Sequence, residues 1–210
     1  MQDQLVAFDR SQHCFSIGAC APAPNIQMTQ LYTQLNPGQA IYGEVADEEK
    51  LVNGLNEHIY DLIVMPRPSA DPKHASFRLM DETLYFSLPD HHPLANREKL
   101  TFAMMDGGKM LVMANVGYWH KVHDRMMPNT QFLVQQDRAV FFELLELSGL
   151  VSFTSSFTMK SEGIPEHRCI VPISDPEASV TYYVWYPRAQ TTRLTGFLKR
   201  LEKALNELTL

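Results

Sequence analysis

The sequence predicts an α/β protein of two lobes, each a mixed sheet flanked by helices, and three observations predict it. Short apolar runs alternate with amphipathic stretches over 14–65, giving a β-α-β-α-β series. A second series of the same style follows over 99–153. The segment 191–208 places Leu194, Phe197, Leu198, Leu201, Leu205 and Leu208 at helical spacing, with Lys199, Arg200, Glu202 and Lys203 outside. Such a helix needs a sheet face, and the first lobe offers one, which makes that lobe discontinuous. The expected organisation is a lead-in at 1–13, a first lobe of 14–86 plus 183–210, and a second lobe of 87–182.

The elements follow from local chemistry. Residues 14–17 read as a strand ending at Gly18, and the turn Gly18-Ala19-Cys20-Ala21-Pro22-Ala23-Pro24 opens a helix at Asn25 that ends at Leu35 before Pro37-Gly38, with Ile26, Leu31 and Leu35 inward. Residues 40–45 form the second strand. Asp47 is a good N-cap for a helix with Glu48 and Glu49 in its first turn, where acids favour the dipole, and with Leu51, Val52 and Leu55 facing the sheet. The continuous apolar run at 61–65 suits a buried parallel strand.

Residues 78–88 are extended, with Leu79, Leu84, Phe86 and Leu88 apolar, and Pro89 ends them before an exposed Asp90-His91-His92-Pro93 turn. This is the first proposed crossing between lobes. The second lobe then predicts a helix at 99–104, a strand at 110–113, a helix at 116–126, a strand at 131–134, a helix at 137–147 ended by Gly149, and a strand at 151–153. Strands at 167–172 and 180–186 close the sheet region, the latter being the second crossing.

Composition narrows the role. The formal net charge is −6 with no block of Lys or Arg, so duplex DNA is repelled by this surface. No apolar run approaches the roughly 20 residues of a membrane span, and Met1-Gln2-Asp3-Gln4 lacks a signal peptide's basic start and apolar core. A cytoplasmic location without membrane association is expected. Cys14, Cys20 and Cys169 have no C-x-x-C spacing, which argues against a disulfide framework or a zinc ribbon.

Several motifs resemble the effector-binding domain of LysR-type transcriptional regulators. They are Phe8-Asp9 followed by Phe15-Ser16-Ile17-Gly18, the strand Tyr60-Asp61-Leu62-Ile63-Val64, and Leu84-Tyr85-Phe86 leading into His92-Pro93-Leu94-Ala95. The resemblance spans nearly the whole chain. It implies a two-lobed fold of the type 2 periplasmic-binding-protein kind, a non-enzymatic sensing role, and side-by-side homodimers. Two departures stand out. Nothing before Phe8 can hold the family's winged helix-turn-helix, so the chain is either an excised domain or a stand-alone one, and DNA contact needs a domain absent here. In Ser148-Gly149-Leu150-Val151-Ser152-Phe153-Thr154, Thr154 stands where the family's Gly-x-Gly stretch ends in Pro.

Open α/β sheets bind ligands beyond the carboxyl ends of their strands, where helix N-termini point N–H groups. In the first lobe that rule selects Ala19, Cys20, Ala21, Pro22, Ala46, Asp47, Met65 and Arg67. In the second it selects Asn115, Val116, Gly117, Tyr118, Thr154 and Ser155, with Ser156 beside them. The expectation is a small organic anion in the inter-lobe cleft with Arg67 nearby. Alternatives left open are a solute-binding protein for transport and an enzyme on the same fold.

Other chemistry is weakly marked. His120 and His123 lie three apart on a helix, a spacing that reads as a solvated face more readily than a zinc site, and no metal or cofactor is expected. No G-x-S-x-G elbow, G-x-G-x-x-G or phosphate loop appears. Glu143 and Glu146 read as an outer helical stripe. The resembled family includes a peroxide sensor, but that sensor's cysteines lie in the second lobe and neither Cys14 nor Cys20 matches them; only a peroxide-induced Cys14–Cys20 disulfide, seen by mass spectrometry, would revive a redox reading. Phe141, Phe142, Leu144, Leu145 and Leu147 make the 137–147 helix apolar on more than one face, which with the 25–35 helix predicts a homodimer surface.

Overall fold

The computed structural model describes residues 14–208; the lead-in at 1–13 lies outside the described residues. Strand β1 (Phe15–Ala19) runs through Gly18 instead of ending there. A Cβ at Gly18 would lie 2.4 Å from Leu51 Cδ2 and 3.2 Å from the Tyr60 ring, so the bare backbone lets both pack onto the strand. Helix α1 (Pro22–Leu35) starts ahead of Asn25 because Pro22 takes the first helical position and Pro24 the first turn, where the helix loses no internal bond to a missing N–H. Met28, Leu31 and Tyr32 turn inward, whereas Ile26, expected inside, is 43% exposed.

Strand β2 (Ile41–Val45), helix α2 (Glu48–Asn56) and the wholly buried strand β3 (Leu62–Met65) follow the expected order. Strand β4 (His74–Pro89) starts before Arg78 and ends at Pro89. Helix α3 (Phe102–Met105) is shorter than the 99–104 expectation because Leu100 is drawn into a bridge with Ile173, leaving Thr101 as cap. Strand β5 (Lys109–Met113), helix α4 (Tyr118–Met126), strand β6 (Gln131–Gln135), helix α5 (Arg138–Leu147) and strand β7 (Val151–Ser155) come next. Helix α6 (Ser156–Glu162) is not foreseen by the sequence reading; Ser155 Oγ starts it by accepting the Thr158 N–H at 3.2 Å. Strands β8 (Arg168–Pro172) and β9 (Ser179–Pro187) and helix α7 (Thr191–Leu208) complete the chain.

Two compact units result, one from Met1–Met80 with Thr181–Leu210 and one from Asp81–Val180, so β4 and β9 each run from one into the other. In the first, β1 pairs in parallel with β2 and β3, and β3 pairs antiparallel with β9. Helix α7 lays Leu194, Phe197, Leu198 and Leu201 inward, as its spacing requires. Phe197 meets Phe15 and Tyr32 at ring separations of 5.3 and 5.2 Å, closing this core from the α1 side.

In the second unit, β4 pairs antiparallel with β7 and β8, while β5 pairs in parallel with β7 and β6. Its core is an aromatic stack of Phe86, Phe102 and Phe153, with Phe86 and Phe153 5.2 Å apart. The His123 ring lies flat on Phe153 at 4.2 Å and is 4% exposed. This corrects the solvated-face reading for His123, although His120 does face solvent, 3.6 Å from Asp124. Helix periodicity misled because Val122 and His123 share the inward face.

Arg168 is the other buried polar group that organises this unit. Its Nε donates to Ser87 Oγ at 2.9 Å, Nη2 to Ser87 O at 2.6 Å and Leu150 O at 2.8 Å, and Nη1 to Leu145 O at 3.1 Å. One guanidinium thereby ties β8 to β4, to the last turn of α5 and to the loop entering β7. A cation at the carbonyl end of α5 is also favoured by the helix dipole.

Candidate functional site

The parallel pairings bring the sequence-selected loops of each unit to one sheet edge. In the first unit, the ends of β1, β2 and β3 gather Ala19, Cys20, Ala21, Ala46, Met65 and Arg67. Backbone bonds knit them: Cys20 N–H donates to Val64 O and Ala46 N–H to Ala19 O, both at 3.0 Å. Ala19, Cys20, Ala21 and Met65 are buried, so they shape the floor of this edge, while Asp47 is exposed at the start of α2.

The N-terminus of α1 is poor in donors. Ala21 precedes it in extended conformation with no side-chain cap, Pro22 and Pro24 have no N–H, and Asn25 N–H already turns back to Ala21 O. Arg67 is the one cation among the first-unit residues selected by sequence. Its Nη1 donates to Glu48 Oε2, and its own carbonyl accepts the Trp185 Nε1–H at 2.8 Å.

Strands β5 and β7 bring the second group together, because their parallel pairing puts Asn115, Val116, Gly117 and Tyr118 at the same edge as Thr154 and Ser155. Asn115 and Gly117 both have left-handed φ, 56° and 59°, and Gly117 precedes α4 with no side-chain cap. Ser155 is occupied in capping α6, and Ser156 Oγ accepts the Thr83 N–H at 3.1 Å. Thr83 Oγ1 also meets Ser179 Oγ at 3.1 Å, so the start of α6 and both crossing strands are joined.

Sequence reasoning missed Glu82 and Trp119. Glu82 is 4% exposed and accepts the Trp119 Nε1–H at 2.8 Å, directly after Tyr118. The signal was available: Glu82 lies in phase with Leu84, Phe86 and Leu88, the inward positions of β4. Glu48 was read only as a helix-start acid, and its place against Arg67 is visible only in three dimensions.

Cys14 and Cys20 flank β1 at opposite ends, roughly 20 Å apart at about 3.3 Å per residue, whereas a disulfide needs Cα atoms within about 7 Å. Among the described residues, no group of three or more His, Cys, Asp or Glu is arranged to hold a metal ion.

Parallel strands ending in loops and helix starts, in two units joined by two crossing strands, are the architecture of the periplasmic-binding-protein-like fold. The chain belongs to the LysR substrate binding domain family, whose model matches residues 18–206. Among solved structures it is similar to the reduced OxyR regulatory domain from Pseudomonas aeruginosa, at 14% identity and TM-score 0.68, covering 93% of this chain and 96% of that one. It is similar to the CcmR regulatory domain of Synechocystis in complex with 2-PG, at 15% identity and TM-score 0.67 over 91% and 96% of the two chains. The BenM effector binding domain with benzoate matches at 15% identity and TM-score 0.64 over 93% and 91%. No curated protein sequence matches this chain. Among the described residues, no helix is long and apolar enough to cross a membrane.

Proposed function

We propose that this chain is the effector-sensing domain of a LysR-type regulator, non-enzymatic, which binds a small organic anion at its strand-end loops. The family match over 18–206 carries this reading. Arg67, just past the end of β3 with its side chain 56% exposed, supports an anionic group. The CcmR and BenM structures hold 2-PG and benzoate, which makes a small acid the natural class to test. We assign the functional lobes to 14–86 with 183–210 and to 87–182, borders inside β4 and β9 as those of the compact units are. An effector acts through its differential affinity for two arrangements of such a domain, and DNA contact belongs to a separate domain. A transcriptional role implies the compartment that holds DNA.

The domain pairs, in this reading, through α1 and α5. Helix α1 contains no charged residue yet exposes Ile26, and α5 exposes Val140 at 39% and Leu147 at 79%. Interface cores are depleted of charge and retain apolar side chains. Native mass spectrometry of the purified domain tests the central reading: a bound small acid is expected. Absence of any adduct, together with no thermal stabilisation by a library of organic acids, overturns it.

A further inference from the structure

We propose that Glu48 is a built-in competitor for the effector's acidic group, setting affinity by occupying the Arg67 guanidinium. This rests on the reading of Arg67 as an anion-binding residue. Three observations lead to it. The first turn of α1 is depleted of N–H donors by Pro22 and Pro24, which leaves Arg67 as the one cation among the selected residues at that edge. The Arg67 backbone is held fast, flanked by Pro66 and Pro68 and bonded through its carbonyl to Trp185 Nε1. One arm of the guanidinium is already taken: Nη1 is engaged by the Glu48 carboxylate, the same chemical group that a carboxylate effector would present, so the two-armed fork that grips a carboxylate is shared with Glu48.

Water and salt reach the pair from the Arg67 side, where the side chain is 56% exposed against 21% for Glu48, and weaken it there. Glu48 stands in the first turn of α2, where the helix dipole continues to favour its charge after Arg67 is taken away. Glu48 therefore discriminates among ligands. A bidentate carboxylate or phosphate displaces it through the planar fork of Arg67, whereas a neutral isostere cannot.

The test is isothermal titration of the whole chain with acetate, benzoate, citrate and inorganic phosphate at fixed ionic strength, using wild type, Glu48→Gln, Arg67→Ala and the double variant. Circular dichroism checks that each variant is folded. Glu48→Gln is expected to tighten binding of the preferred anion about two- to fivefold, the worth of an exposed ion pair. Arg67→Ala weakens it, and in that background Glu48→Gln has no further effect. The competitor role is overturned, with the sensing reading intact, if Arg67→Ala weakens binding but Glu48→Gln changes nothing or acts equally with and without Arg67. If Arg67→Ala binds as wild type does, or no anion binds any of the proteins, the anion role of Arg67 fails and the competitor with it.

Discussion

At the scale of the residue, two buried polar groups govern the second unit in opposite ways. Arg168 satisfies four acceptors, so replacing it removes the side-chain donor from Ser87 O, Leu145 O and Leu150 O, the first two at buried bonds. Arg168→Met is expected to cost about 3 kcal/mol in urea unfolding at constant m-value; a loss within error of zero would mean that water reaches those carbonyls. His123 works through its proton. Burial on Phe153 pushes its imidazole down to about 3, with the nearby His120 charge a smaller cause, and its Nε2 has no hydrogen-bond partner among the described residues. The unfolded chain takes up the proton near pH 6.5 and the folded chain does not, so stability rises with pH and is lost progressively as pH falls from about 7 towards 3. At pH 5 that loss is about 2 kcal/mol. His123→Phe should flatten the slope between pH 7 and 5, and a variant with the wild-type slope would assign the acid sensitivity elsewhere. Neither role is legible in the sequence, where His123 looks like half of a surface pair and Arg168 like the start of a strand.

At the scale of the element, glycine reverses its usual sign. Gly54 is inside α2, where alanine ordinarily stabilises a helix by about 1 kcal/mol. Here a Cβ would lie 2.4 and 2.7 Å from Tyr60 ring carbons, and Tyr60 is itself 1% exposed with its hydroxyl bonded to Glu44. Burial first, and then the Glu44 carboxylate, raise the Tyr60 phenol far above its ordinary range. The ring has nowhere to retreat, so Gly54→Ala is expected to destabilise by about 1–3 kcal/mol, read as a lower thermal midpoint; a rise in midpoint would show that Tyr60 can move. Elements with strong periodic signals were legible from sequence, as α7 burying Leu194, Leu198 and Leu201 shows, whereas Asp47, expected to cap α2, stands at its N-cap without a side-chain cap bond. Elements decided by neighbours were not. Gly18 looks like a strand end until Leu51 and Tyr60 are seen on it, and α6 begins from Ser155, which reads as a loop hydroxyl when its Thr158 partner is unseen.

At the scale of the whole molecule, the alternation of strands and helices follows from pattern, because parallel α/β topology admits few arrangements of such a series, whereas the order of strands in the sheet does not. The sheet edge carrying the candidate loops follows equally, since it is a property of topology. What the pattern could not supply is which side chains are already engaged there. The dimer reading has its own measurement: Leu147→Glu, at a position 79% exposed, should leave the thermal midpoint nearly unchanged while halving the mass seen by light scattering. A wild-type chain that is monomeric at high concentration would remove the basis for that surface.

The two indole hydrogen bonds have a practical consequence. The chain has two tryptophans, Trp119 in the second unit and Trp185 in the first, both buried and each donating to an internal acceptor at 2.8 Å. Nature has thus placed one fluorophore in each half. Trp119→Phe and Trp185→Phe would leave single-emitter proteins in which denaturation of either half is followed by its own red shift. In the version retaining Trp119, beside Tyr118, quenching on titration reports what happens at the α4 loop without any added dye.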